Sequence, residues 1–397
     1  MTDTVGQSLG PGPGASATGA GLLRRRRRRW AKVTAVGAAV LGAVAAGTGW
    51  ALYATLSDNI TADDAAAREL ERYERERPTE LVRGAQNILL IGSDTRAGEG
   101  NSAYGRDLGG ERSDTTILLH LAADRRSATA VSLPRDLMVD IPGCRRPDGS
   151  RSEPVFAMFN HAFQLGGSAC TIRTVEKLTD IRIDHHVVVD FRGFKKMVDA
   201  VDGVQVCLKE PIDDKAALLQ LPAGRVELDG EQALGFVRAR KSLGDGSDTE
   251  RMERQQRFLG ALVDKVQSDD VLLNPAKLYP VLDAATSALT TDPELASLRG
   301  LYQLVRGLRN IPIEQVQFLT VPRESYLYDT NRDQLVEPEA EKLFARLRAD
   351  QPVAVARQTP EEAARTGAET GGEPDGGTGP SPTPTFRGNT AAEHICE

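Results

Sequence analysis

Hydrophobic and polar positions divide this chain into a membrane-length run, a charged helical stretch, a body of alternating strands and helices, and a polar tail. From Val33 to Leu56 no charged residue occurs. About 24 helical residues reach roughly 36 Å, enough for a bilayer core of about 30 Å. Residues 57–83 are charged and Ala-rich. The Arg/Glu spacing in RELERYERERP predicts a helical stalk ending before Pro78. Short apolar runs then predict strands at Asn87–Ile91, Thr115–Leu121, Thr129–Leu133, Val187–Val189, Val204–Leu208 and Val316–Val321. Helical spacing falls at Asn160–Leu178, broken near Gly166 and Gly167, and at Phe194–Val201, Thr249–Gln267, within Leu278–Leu308, and at Glu337–Ala349. Leu234–Arg238 reads as a passage from helix to strand. Interleaved strands and helices predict an α/β or α+β sandwich.

Composition sharpens the ends. Six arginines, Arg24 to Arg29, abut the apolar run. By the positive-inside rule they place the N-terminus in the cytoplasm and the rest of the chain outside. Trp30, Trp50 and Tyr53 suit the two interfaces. The run lacks a clean small-x-small cleavage site, so it reads as a single-pass anchor in the cell membrane, not a signal peptide. The expected organisation is a disordered basic segment over 1–29, a transmembrane helix over 30–56, a stalk over 57–83, a folded extracytoplasmic domain over 84–355 and a disordered tail over 356–397. A net charge of −7 argues against nucleic-acid binding.

An oxidising compartment permits a disulfide. Cys144 and Cys170 each sit in a Gly-containing loop and are the first choice. Cys207 lies in a Val-rich strand pattern and reads as a buried thiol. There is no CxxC pair, HExxH, GxSxG elbow or Walker loop. His120, His185 and His186 lie in or beside apolar strands and read as structural.

Arginine and aspartate recur at strand ends instead. Asp94 and Arg96 follow the first strand, Arg112, Ser113 and Asp114 precede the second, and Arg135 and Asp136 follow the third. If these strands run up, down and up as neighbours, Asp94, Asp114 and Arg135 share one rim of the sheet. Arg238 and Arg240 are two apart and share a face if extended. Ser247–Glu250 has the form of a capping box, and Arg251 and Gln255 beyond it share a helical face. Leu259, Leu262 and Val266 continue that stripe inward. Convergent guanidinium groups suit phosphate oxygens. Asp94 and Asp114 among them suit Mg²⁺, or Mn²⁺, which takes hard oxygen ligands. Phosphoryl transfer needs chiefly positioning and charge stabilisation, so such a site requires no histidine.

NILLIGSDTR, RSDTTILLHL, SLPRDLMVDIPG, FNHAFQLGG, TVEKLTDIRIDHHVVVDFRGF, VDAVDGV, LDGEQALGFVRAR and DTERMERQQ, in this order, resemble the LytR-CpsA-Psr family. The resemblance is dense over residues 85–265 and looser to about residue 350. It implies an α/β/α sandwich with a central mixed sheet behind one transmembrane helix. It also implies a phosphotransferase that moves a glycopolymer from a polyprenyl-pyrophosphate carrier onto peptidoglycan. In that reading Arg112, Arg135, Arg238, Arg240, Arg251 and Gln255 hold the pyrophosphate. Asp94 and Asp114 hold the metal, Asp114 and Arg135 act in catalysis, and an apolar pocket, which periodicity does not locate, takes the lipid. Asp202 stands where glycine is expected. Two other readings are a hydrolase of lipid pyrophosphates, with water replacing the sugar hydroxyl, and a non-catalytic envelope regulator, against which the intact Arg and Asp positions count.

Overall fold

The structure, a computed structural model, describes residues 19–93, 113–146, 148–215, 217, 219–239, 248–267, 275–356 and 384–393. The chain forms two units, Met1–Thr55 and Leu56–Glu397. Helix α1 (Gly19–Asn59) carries the apolar run. Its stretch Lys32–Asn59 is long and apolar enough to cross a membrane. Val36, Leu41 and Trp50 on it are exposed.

In chain order the strands of the second unit are β1 (Thr61–Ala62), β2 (Gln86–Ser93), β3 (Ser113–Leu121), β4 (Ala128–Leu133), β5 (Met138–Ile141), β6 (Val155–Met158), β7 (His185–Asp190), β8 (Val204–Leu208), β9 (Ile212–Asp214), β10 (Leu219–Leu221), β11 (Gly224–Leu228), β12 (Leu289–Thr291), β13 (Val316–Thr320), β14 (Arg323–Tyr326), β15 (Asp329–Leu335), β16 (Ala354–Ala356) and β17 (Thr385–Thr390). The helices are α2 (Asp64–Arg72), α3 (Asn160–Thr179), α4 (Phe191–Ala200), α5 (Gly230–Arg238), α6 (Asp248–Gln267), α7 (Pro275–Ala288), α8 (Leu298–Arg309) and α9 (Glu339–Arg348).

Nine strands form one mixed sheet in the order β1-β12-β7-β2-β3-β4-β13-β17-β16. The pairs β2–β3 and β3–β4 are antiparallel, while β2–β7 and β4–β13 are parallel. The expected up-down-up trio is therefore the centre of the sheet. Alternation along each strand sends successive side chains to opposite faces. On one face Leu89, Ile91, Leu118, Val131 and Leu319 join Ile172 and Val175 of α3 and Leu343 and Phe344 of α9 in one core. On the other, Ile88, Ile117, Leu121 and Phe318 pack with Leu259 of α6 and Leu304 and Leu308 of α8. A further core joins Val204 and Val206 of β8, Leu228 of β11, Val198 of α4, Phe236 of α5 and Phe258 of α6. The result is the expected three-layer α/β/α arrangement.

Helix α3 bends where expected. Gly166 and Gly167 leave helical geometry, and Gly167 sits at φ +61°, which favours glycine. A Cβ on Gly166 would lie 2.8 Å from the Arg145 carbonyl oxygen. The bend lets the loop after β5 approach, and a disulfide joins Cys144 to Cys170 there, with 5.6 Å between Cα atoms. Asp202 sits at φ +59°. That position suits glycine, and aspartate is among the residues that tolerate it.

Four expectations are corrected. The stretch read as a free stalk docks on the domain, and the second unit begins at Leu56, not Gly84. In α2, Ala66 and Leu70 join the core against α3, and Arg77 holds buried Glu176 with Nη2–Oε1 at 2.8 Å. The tail returns to the sheet: β17 runs antiparallel to β13 and parallel to β16. Residues 357–383 lie outside the described part. Leu234–Arg238 stays helical to its end. Cys207 is half-buried and disulfide-bonded rather than a thiol.

Candidate functional site: a cationic rim over an apolar cavity

The site starts from the register of the three central strands. Ser93 at the end of β2 lies opposite Ser113 at the start of β3, and Thr116 lies opposite Leu133 at the end of β4. This brings Asp114 and Arg135 to one rim, where Arg135 Nη1 donates to Asp114 Oδ1 at 2.9 Å. Arg135 Nε also donates to Asp136 Oδ2 at 3.3 Å, and Arg332 meets the other oxygen of Asp136 at 3.7 Å. Two carboxylates thus aim the Arg135 guanidinium.

The second cluster arrives from α5 and α6. Helix α5 is started by a capping box between Asp229 and Gln232, a signal present in LDGEQ. The Arg238 side chain lies over the Phe191 ring, 4.6 Å from its centroid. On α6, Arg251 and Gln255 share a face as their spacing requires. Gln255 Nε2 donates to the Val237 carbonyl at 3.2 Å. Arg254, which no motif or spacing singled out, is buried and donates to the Phe236 and Ala239 carbonyls, so it clamps the end of α5 against α6. Gln256 donates to Ser132 Oγ and Thr320 Oγ1, both at 3.1 Å, and ties α6 to the sheet.

Five of these side chains meet at one cavity of about 590 Å³. Asp114, Arg135, Arg238, Arg251 and Gln255 form its polar rim. Its walls are Leu90, Ile117, Val187 and Val189 from the sheet, Phe191, Phe194 and Met197 from α4, and Phe258, Leu259 and Leu262 from α6. The cavity lies between the core on this face of the sheet and the core around β8 and β11. Native cores usually leave no void of this size, so an apolar cavity of drug-scale volume with convergent polar groups is the candidate ligand site. Asp190, which caps α4 by accepting from Gly193 N at 2.6 Å, also lines it.

Asp94, Arg96, Arg112, Arg240 and the Ser247 cap lie outside the described residues. Among the described residues no three carboxylate, His or Cys groups gather in a metal-ligand cluster. His120, His185 and His186 are held in structural contacts, as their place in or beside apolar strands suggests. His120 bonds Asn87 Oδ1 at 2.8 Å and Asp350 Oδ1 at 3.0 Å. His185 meets Asp292 at 3.2 Å, and His186 meets Asp63 at 3.3 Å. Burial alone would raise the Asp63 carboxyl, but bonds from His186, Ser168 and the Ala66 amide outweigh it and hold the pKa at about 2.

Fold and rim together define a three-layer α/β/α protein with an arginine-bearing edge above an apolar cavity. The LytR_cpsA_psr family model matches residues 56–349, and the chain belongs to that family. The chain is 34% identical over 292 residues to the probable cell wall biosynthesis protein LcpB of Corynebacterium glutamicum, covering 71% of this chain and 66% of the relative. It therefore spans a little under two thirds of that protein. It is 29% identical over 324 residues to the polyisoprenyl-teichoic acid–peptidoglycan teichoic acid transferase TagT of Bacillus subtilis, covering 79% of this chain and 93% of TagT. The crystal structure of B. subtilis TagV superposes with a TM-score of 0.53 at 25% identity, covering 68% of this chain and 98% of TagV.

Proposed function

We propose that this protein is a phosphotransferase that moves a glycopolymer from a polyprenyl-pyrophosphate carrier onto a peptidoglycan hydroxyl. The observation that carries this reading is the cationic rim set directly on an apolar cavity. A lipid pyrophosphate has the same division: a greasy chain joined to a dense anion. Its relatives named as teichoic acid transferases support the reading.

The polyprenyl chain lies among Leu90, Val187, Phe194 and Leu262. Arg135, Arg238 and Arg251, with Arg112 and Arg240, hold the pyrophosphate oxygens, and Gln255 donates a further hydrogen bond. Permanently charged arginines spread the charge that grows as the leaving phosphate departs. The acceptor hydroxyl oxygen forms a bond to the glycan-side phosphorus. The bond from that phosphorus to the bridging oxygen breaks, and polyprenyl phosphate leaves with the electron pair. The hydroxyl proton passes to a carboxylate of the rim, for which we assign Asp114. Water in place of the acceptor gives pyrophosphate hydrolysis as a side reaction.

Asp114 is also the described residue that fits a metal. Arg135 occupies its Oδ1, and its second oxygen has no bond to another described residue. With Asp94 it would hold Mg²⁺ or Mn²⁺, whose positive charge would offset that of the phosphate oxygens. Arg24–Arg29 ahead of the candidate anchor Lys32–Asn59 support an orientation with the N-terminus in the cytoplasm and the domain outside. The Cys144–Cys170 disulfide supports an oxidising compartment.

The test is incubation of the full-length protein in detergent with a lipid-pyrophosphate glycan, peptidoglycan oligomers and Mg²⁺. Glycan covalently joined to peptidoglycan is the expected product. Free phosphorylated glycan alone would make the protein a hydrolase, and no turnover would make it a non-catalytic envelope protein.

A further inference from the structure

A second groove, of about 730 Å³, adjoins the cavity and shares Ser93, Asp190 and Leu289 with it. Three separate elements turn basic side chains into this groove. Helix α2 brings Arg68 and Arg72, the disulfide-stapled loop brings Arg145 and Arg146, and the first turns of α4 bring Arg192 and Lys196. Its carboxylates are already occupied. Glu69 pairs with Arg72 at 2.7 Å, Asp63 accepts from Ala66 N at 3.0 Å and also holds Ser168 and His186, and Asp190 caps α4. Arg68, Arg145, Arg192 and Lys196 are exposed and form no ion pair with another described residue. This concentration of positive charge stands on a chain of net charge −7. Like charges so gathered repel one another, and a bound polyanion removes that repulsion.

The groove is also built to keep its shape. The α3 bend at Gly166 and the disulfide hold Arg145 and Arg146 against the domain. Asp63, which starts α2, hydrogen-bonds through its backbone N–H to the Thr291 carbonyl at 2.8 Å and so fixes Arg68 beside the sheet edge.

We infer that this groove binds an anionic glycan strand carrying repeated phosphate or carboxylate groups and guides it to the reacting pyrophosphate. The inference rests on the transferase reading above. The strand is either the outgoing part of the donor glycan or the carboxylate-bearing peptidoglycan acceptor. Both would meet the same cations, and neutral glycan would not.

The test uses the full-length protein in nanodiscs of neutral lipid, compared with the triple variant Arg68→Gln, Arg145→Gln, Arg192→Gln. The probes are a glycerol-phosphate oligomer, muropeptides with free carboxylates, and dextran. The expected result is a loss of about tenfold in affinity for one of the two anionic probes, matched by weakening as salt rises from about 50 to about 300 mM. Loss for the phosphate oligomer assigns the groove to the donor, and loss for the muropeptides assigns it to the acceptor. Unchanged affinity for both probes, or an equal loss for dextran, overturns the proposal. Capture of anionic vesicles lost in the same variant, without loss for either polymer, also overturns it. Turnover of a lipid pyrophosphate bearing one uncharged sugar is measured in parallel and stays within about twofold in the variant. No turnover by wild type in that arm would sink the transferase reading and leave the binding result standing on its own.

Discussion

The two faces of the central sheet are built alike and used differently. On the face carrying Leu89, Leu118 and Val131, one core runs without interruption into α3 and α9. On the face carrying Ile88, Ile117 and Val187, the core stops short of the one around β8 and β11, and the cavity fills the gap. Strand alternation supplies apolar residues to both faces equally. The difference comes from what covers them. Leu343 and Phe344 of α9 close one face. On the other, α4, α5 and α6 carry part of their apolar surface to their own core and leave the rest around an opening. The continuous core lies behind the sheet, and the apolar cavity opens in front of it.

The largest effect that would break this comparison is at the rim. Arg135→Ala should lower turnover by about a hundredfold or more, since the guanidinium stabilises charge that develops in the transition state. Its melting temperature should stay within a few degrees of wild type, because Arg135 lies at the open edge and outside the closed core. Steady-state kinetics beside thermal unfolding checks both. A variant that unfolds, or one that turns over normally, would remove the division of labour.

Next comes the staple behind the sheet. Replacing Cys144 and Cys170 together by serine opens a loop with a sequence separation of 26. Chain-entropy arguments put the loss at about 3 kcal/mol. Denaturant unfolding should show it, while turnover of a short, uncharged donor is retained at temperatures where the variant is folded. Loss of that turnover in the folded variant would mean the two faces are coupled.

A matched pair sharpens the contrast inside the domain. Leu118→Ala on the closed face leaves a hole among fully buried side chains and should cost about 3 kcal/mol. Leu259→Ala at the cavity wall should cost about 1 kcal/mol, because its environment already contains open space. Leu259→Trp narrows the cavity and should raise KM for a long-chain donor about tenfold with kcat little changed. Equal destabilisation by the two alanines would mean that the opening is collapsed in solution.

These contrasts explain what could be read along the chain. The β2–β3–β4 trio was legible because each strand is a nearly unbroken apolar run bounded by turns. The meeting of Asp114 and Arg135 followed from strand direction alone. Arg251 and Gln255 were legible as neighbours from helical spacing. The cavity was not, because its wall draws on β2, β3, β7, α4 and α6, and no local period records which of those surfaces are left uncovered. The docking of α2 was hidden by composition: only Ala66 and Leu70 are core positions in a stretch that otherwise reads as solvated charge. Strand β17 was hidden because TFRGNT offers one buried residue, Phe386, and is held to β13 and β16 by backbone pairing. The passage from helix to strand expected over Leu234–Arg238 is not there: α5 stays helical through Arg238, where Arg254 clamps the Phe236 and Ala239 carbonyls.

The smallest effects come from two adjacent histidines that alternation sends to opposite faces. His185 shares its side of β7 with Val187 and Val189, and His186 shares the other with Val188. Burial would lower the His185 pKa, but the hydrogen bond and charge of Asp292 outweigh it and raise it above 6.5. A raised histidine stabilises the fold fully below its unfolded value and loses that contribution as pH rises through the folded one. The melting-temperature gap between wild type and His185→Gln should therefore be widest near pH 6 and narrow towards pH 9, by about 1–2 °C. On the closed face the sign reverses. Asp63, held at about 2 by His186 and Ser168, contributes above the unfolded aspartate value and loses that contribution as pH falls towards 2. The gap to Asp63→Asn should thus be constant from neutral pH to about pH 5 and shrink only in acid. Opposite pH slopes from neighbouring residues would show that the two faces titrate as separate environments. Parallel slopes would mean that water entering the open cavity reaches through the sheet edge to both.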